Sequence, residues 1–232
     1  MWLFKKKKMT IEITDKKIER SFWYYDPQNN FPPQSIFNVQ SSYQGQRLSL
    51  AGTKEASELS EYKQRKIIKG WEKILPSLET EFLWIAPKVS QSLFEAISEM
   101  PNLRGLSFKH SNITVIPKNG FPKLEFLDIG NSPKVESLEG LESLNKLKWL
   151  DMENLKKISN FTKLSELINL VGLSINGGMY SKQFTDSLKP LEKLSQLRFL
   201  SLSNTKVMDN DLSPLESLKL LELLHSAKWW SK

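Results

Sequence analysis

One phrase repeated six times constrains this chain more than anything else in it. The frame L-x-x-L-x-L recurs as Leu103–Leu106–Phe108, Leu124–Leu127–Ile129, Leu147–Leu150–Met152, Leu170–Leu173–Ile175, Leu197–Leu200–Leu202 and Leu218–Leu221–Leu223. Successive starts are 21, 23, 23, 27 and 21 residues apart, and a fainter copy, Thr80–Leu83–Ile85, lies 23 residues before the first and reads as the first rung. A period of this length points to stacked units, because one such unit cannot bury its own apolar face and several together make that face continuous.

Ahead of most copies the leucines continue backwards at a spacing of three: Leu141 and Leu144, Leu164 and Leu167, Leu191 and Leu194, Leu212 and Leu215. That spacing suits a 3₁₀-like turn, whereas the two-residue step of L-x-L belongs to a strand. Each unit therefore reads as strand, turn and tight helical return. These residues resemble the leucine-rich repeat family, and the Leu-Ser-Pro-Leu at 212–215 is similar to its short-repeat bacterial internalin type, over roughly residues 78–226. The resemblance implies an α/β solenoid: a curved right-handed superhelix with a parallel β-sheet on the concave face and short helical or 3₁₀ segments on the convex face, after an N-terminal β/α cap region. It also implies an asparagine ninth in each unit that ties down turn amides. Here that position holds Ser111, Ser132, Leu155, Gly178, Thr205 and Ser226, so only the serines and the threonine retain a side chain able to bond the turn.

Outside the repeats the expected divisions are a basic tail over 1–8, a small β-rich region over 9–52, an amphipathic cap helix over 53–77 and a C-terminal aromatic cap over 227–232. The helix is expected because Ala56, Leu59, Ile67, Trp71 and Ile74 recur at near-helical spacing before Pro76, and it is expected to cap the first rung. Strand-like runs lie at Thr10–Thr14, Ser21–Tyr25, Ile36–Gln40 and Arg47–Ala51, and Trp229 and Trp230 follow the last rung.

Side chains alternate across a strand, so residues between core leucines must face outward. In the stretch LKWLDMENL, Leu150 and Met152 enter the core, which turns Trp149, Asp151 and Glu153 onto the exposed sheet. The same register gives one outward row of Phe82, Gly105, Phe126, Trp149, Gly172, Phe199 and Leu220, and a second of Trp84, Ser107, Asp128, Asp151, Ser174, Ser201 and Glu222. The expected partner-binding set is Phe82, Trp84, Phe126, Asp128, Trp149, Asp151, Glu153, Phe199 and Glu222. Large rings beside fixed charges suit a protein-binding centre, and the carboxylates select a basic partner surface. The same rings, on strands about 4.8 Å apart, also suit a plain cross-strand ladder.

No catalytic residue, cofactor or metal ligand is expected. With no cysteine there is neither thiolate chemistry nor a disulfide framework, and the two histidines, His110 and His225, fall on the first and last full copies. The net charge of +7 is concentrated before the repeats: residues 1–77 carry +6 and residues 78–232 carry +1. Because Lys5 to Lys8 supply four of those charges and Met9 is an alternative start, the basic pI argues weakly for nucleic acid. The expectation is a cytoplasmic, monomeric, non-catalytic protein-binding module, possible roles including an inhibitor or immunity-type protein. The alternative is nucleic-acid or anionic-membrane binding by the basic N-terminal region, which carries the Phe22–Tyr25 aromatic cluster, with the repeats as scaffold.

Overall fold

The computed structural model describes residues 34–50 and 54–226. The basic tail of residues 1–8, the Phe22–Tyr25 cluster, the first two expected strands and the Trp229–Trp230 pair lie outside the described residues. Nine strands form one parallel sheet: β1 (Ser35–Ile36), β2 (Arg47–Leu50), β3 (Phe82–Ile85), β4 (Gly105–Phe108), β5 (Phe126–Ile129), β6 (Trp149–Glu153), β7 (Gly172–Asn176), β9 (Phe199–Ser201) and β11 (Leu223–His225), in that spatial order. A second sheet pairs β8 (Gln183–Thr185) with β10 (Thr205–Val207). Strands that follow one another in sequence and pair in parallel, each returning through a short crossover, make an α/β solenoid.

The repeated leucines build its spine. Leu83, Leu106, Leu127, Leu150, Leu173 and Leu200 stand in register across β3 to β9, all buried, with Ile85, Phe108, Ile129, Met152 and Ile175 beside them. The crossovers after β5, β6, β7 and β9 contain 3₁₀ turns, Leu141–Ser143, Thr162–Glu166, Lys189–Lys193 and Ser213–Ser217. Three residues per turn keep side chains three apart on one side, and Leu138, Leu141 and Leu144 are all buried.

The sheet begins before the rung at Leu83. Residues 35–50 are not a separate β appendage in their described part: β2 pairs with β3, Leu48 opposite Leu83 and Leu50 opposite Ile85, and both leucines are buried. The helix expected over 53–77 is two helices, α1 (Lys54–Ser57) and α2 (Glu61–Ile74), because Ser60 starts a new one as its N-cap. It lies in the crossover between β2 and β3, where it is a side wall of the core instead of an end cap. Trp71 is fully buried there and donates its indole N–H to the Phe37 carbonyl at 2.7 Å. A third helix, α3 (Gln91–Ser98), fills the next crossover and begins where the Ser90 hydroxyl accepts the Leu93 N–H at 3.2 Å.

At the other end the last copy of the frame is three residues later than the sequence suggests. Leu200 pairs with Leu224, not Leu221, and Phe199 with Leu223. Leu218–Leu221–Leu223 fills the earlier frame, yet the pairing selects the later one, Leu221–Leu224–Ser226, which continues the three-residue spacing of Leu215 and Leu218 and has serine in its last place. The expected core position Leu212 is instead 58% exposed, and Leu224 is exposed although it stands opposite the buried Leu200. Both belong to the last described rung, against which no further described strand pairs.

Candidate functional site

The outward rows fall where strand alternation puts them from β3 to β9. Phe82, Gly105, Phe126, Trp149, Gly172 and Phe199 stand opposite one another in sequence, as do Trp84, Ser107, Asp128, Asp151, Ser174 and Ser201. Glycine at 172 leaves no gap in the wall. The Trp149 ring lies over Gly172 and reaches Phe199, with centroids 5.5 Å apart at 35°. Phe126, 5% exposed, packs with Phe82, Trp84 and Trp149, and Phe82 stacks on Trp84 at 6.4 Å. The ladder and the open face coincide only in part: Phe82, Trp84, Trp149 and Phe199 support the sheet and remain partly open, whereas Phe126, expected on the exposed face, is buried beneath its neighbours. Among the described residues the buried Trp149 indole N–H has no hydrogen-bond partner, and ring packing against Phe126, Gly172 and Phe199 positions this side chain.

A β-carbon at position 172 would come within 2.3 Å of the Trp149 ring. Gly172→Ala is thus expected to push that ring off its seat and cost about 1 kcal/mol. Near-UV circular dichroism and a denaturant titration would detect the two effects.

The carboxylates of the wall differ from those at its edge. One residue before the row that begins at Phe82 runs a ladder of opposite charges, Glu81 to Arg104 to Glu125 to Lys148, each ion pair at 3.2 Å, with Arg198 on Glu222 further along. Burial would raise the pKa of Glu125, yet Arg104 and Lys148 hold it below the usual value. Asp128, Asp151 and Glu153 form no ion pair with any described residue. Burial, then the neighbouring Asp151 and Glu153 charges, push Asp128 well above the usual carboxylate range despite the Ser107 hydroxyl donated to it at 2.8 Å. Burial first and Glu153 second raise Asp151 to about 6, opposed by a hydrogen bond from Ser174. Glu222 does not join this group. With the last rung displaced by three residues, it belongs to the edge ladder, and His225 takes the outward place opposite Ser201.

Beside the carboxylates lies a concavity of about 520 Å³. Trp149, Phe199 and Leu223 supply apolar wall, Asp151 and Glu153 one polar rim, and Asn176 and His225 others. A loop after β7 borders it: Gly178 bridges Ser181 in antiparallel fashion, and Met179 and Tyr180 between them are 64% and 91% exposed. Met179 lines the concavity. Sequence reasoning missed His225 through the frame of the last rung. It missed the loop although the 27-residue interval, the longest of the series, marked where extra chain had to go.

Two substitutes for the expected asparagine serve the turns at Ser111, Ser132 and Leu155. Ser111 donates to Ser132 at 2.7 Å, and Ser132 to the Gly130 carbonyl. At Leu155, which is itself in the core, the amide of Gln183 arrives from the next unit. It accepts the Leu155 N–H at 2.9 Å and donates to the Ile158 and Phe184 carbonyls at 2.6 and 3.0 Å. Asn131, Asn154 and Asn204 occupy the preceding position with positive φ, which asparagine tolerates better than most residues.

Among the described residues no cluster of three or more His, Cys, Asp or Glu side chains could hold a metal ion, and no helix is long and apolar enough to cross a membrane. No protein-family model matches the sequence, and no curated protein does. Among solved structures, a leucine-rich-repeat protein of Leptospira interrogans matches with a TM-score of 0.57 at 18% identity, over 83% of this chain and 46% of that one. This chain thus spans about half the length of that protein, and the likeness is one of fold.

Proposed function

We propose that this chain, which has the leucine-rich-repeat fold, is a non-catalytic module that holds a partner protein with a basic surface against its concave face. The observation that carries this reading is the contrast between edge and wall: the edge carboxylates are neutralised by arginine and lysine, while Asp128, Asp151 and Glu153 are kept close together among aromatic rings without a countercharge. Close like charges cost stability, and a cationic partner would offset that cost on binding. Trp149 and Phe199 supply the ring surface that anchors such contacts. Action as a monomer in the cytoplasm, neutralising a basic toxin or nuclease, is a role this surface would suit.

Trp149→Ala is expected to weaken capture of that partner at least tenfold, as truncation of a central aromatic anchor commonly does. The measurement is affinity capture from the native cell with tagged wild-type and variant chains of equal thermal stability, followed by titration of the captured protein. Undiminished binding, or a captured partner with an acidic contact surface, would contradict the proposal.

A further inference from the structure

The sheet handles two of its own arginines in one way. The Arg104 guanidinium lies over the Phe82 ring, 5.5 Å from its centroid, while bonding Glu81 and Glu125 from the strands on either side. The Arg198 guanidinium lies over Phe199 at 5.8 Å while bonding Glu222. In both, a planar cation rests on a ring with carboxylate oxygens at its edge, a setting that matches guanidinium better than ammonium because it uses the flat face and the forked donors together.

The concavity between β6 and β11 offers the same two ingredients. Its Trp149 ring and its Asp151 and Glu153 carboxylates follow one another at every second residue of β6, on one face of the strand. Asn176, directly opposite Glu153, adds an amide, and among the described residues no lysine or arginine lines the space. At about 520 Å³ it is roomier than one side chain requires, leaving space for the flanking backbone of a partner segment. We propose that this concavity seats an arginine side chain of the partner protein, its guanidinium over the Trp149 ring and its N–H groups donated to Asp151 and Glu153. The inference rests on the reading of the concave face as a partner-binding surface, and it specifies what that surface grips. Met179, which lines the concavity, would pack on the aliphatic part of the arginine.

The test is a titration of the full chain with N-acetyl-arginine amide, compared with the lysine and citrulline counterparts. The readout is the indole N–H resonance of Trp149, assigned by its loss in Trp149→Phe. The expected result is a saturable shift with the arginine compound, in about the millimolar range typical of a single small contact. Binding should be several-fold weaker for lysine and absent for citrulline. The double variant Asp151→Asn/Glu153→Gln should bind the arginine compound at least tenfold more weakly while melting no lower than the wild type at pH 7.5. Equal binding of citrulline, unchanged binding by the double variant, or no saturable shift would overturn the seat, and equal binding of lysine would overturn the choice of arginine. Loss of partner capture by Trp149→Ala without arginine binding would remove the arginine seat alone. Arginine binding with undiminished capture would instead overturn its assignment to a partner.

Discussion

Gln183→Leu should destabilise the fold by about 2–5 kcal/mol, the sum expected when two or more buried backbone groups lose their partners at about 1–3 kcal/mol each. The side chain is 3% exposed and of nearly the same volume as leucine, so packing survives the change and the hydrogen bonds do not. What is lost is the acceptor for the Leu155 N–H and the donor to the Ile158 and Phe184 carbonyls. Urea unfolding followed by far-UV circular dichroism measures the difference. Gln183→Glu separates polarity from donation, because it keeps an acceptor for Leu155 while removing the N–H groups that two carbonyls need. It should also be destabilising. A Gln183→Leu variant as stable as the wild type would mean that the turn after β6 is held by its leucines alone.

Asp151→Asn, in contrast, should stabilise the protein, by roughly 2–3 kcal/mol above pH 7, because burial and the Glu153 charge hold the carboxyl at about 6 against a usual 3.8 and the amide escapes that penalty. The direction comes from proton linkage. Asp151 titrates near 6 in the folded chain against a usual 3.8, so between about pH 4 and pH 6 the folded state holds a proton that the unfolded state has released. Wild-type stability therefore falls as pH rises through that window. The penalty is fully present above the folded value and absent below the unfolded one. Asp128, raised by burial and by the Asp151 charge, contributes with the same sign. The asparagine still accepts from Ser174 but carries no charge, so its stability should vary less with pH, and the two curves should converge near pH 4. Thermal melts of both proteins from pH 4 to pH 8 measure the gap. A variant that is less stable than the wild type at pH 8 would identify the carboxylate as a structural acceptor.

Strand alternation made most of the wall legible in advance. Once Leu127, Leu150, Leu173 and Leu200 were placed inward, Phe126, Asp128, Trp149, Asp151 and Phe199 had only one face left. Three things were hidden, each for a physical reason. The rung Arg47–Leu50 carries only a short L-x-L and lies 35 residues from its neighbour in register, because a helical crossover intervenes in place of a 3₁₀ turn, so no periodicity connected them. Leucine at 218, 221 and 223 filled the earlier frame completely, whereas the later one adopted by the pairing ends on Ser226, and the choice decides whether Glu222 or His225 faces the wall. The turn-binding amide comes from Gln183, 28 residues from the backbone it serves, and such a partner is visible only once the units are stacked. Fold was thus readable from spacing, whereas electrostatics was not: the uncompensated state of Asp128 and Asp151 depends on which charges the neighbouring strands bring within reach, and those charges gather at the edge.

The most direct measurement pairs stability with binding in one variant, Asp128→Asn/Asp151→Asn, at pH 7.5. If the wall is a binding face for a basic protein, its midpoint of unfolding should rise above the wild type's while its affinity for the captured partner falls at least tenfold. A lower midpoint, or an undiminished affinity, would contradict it.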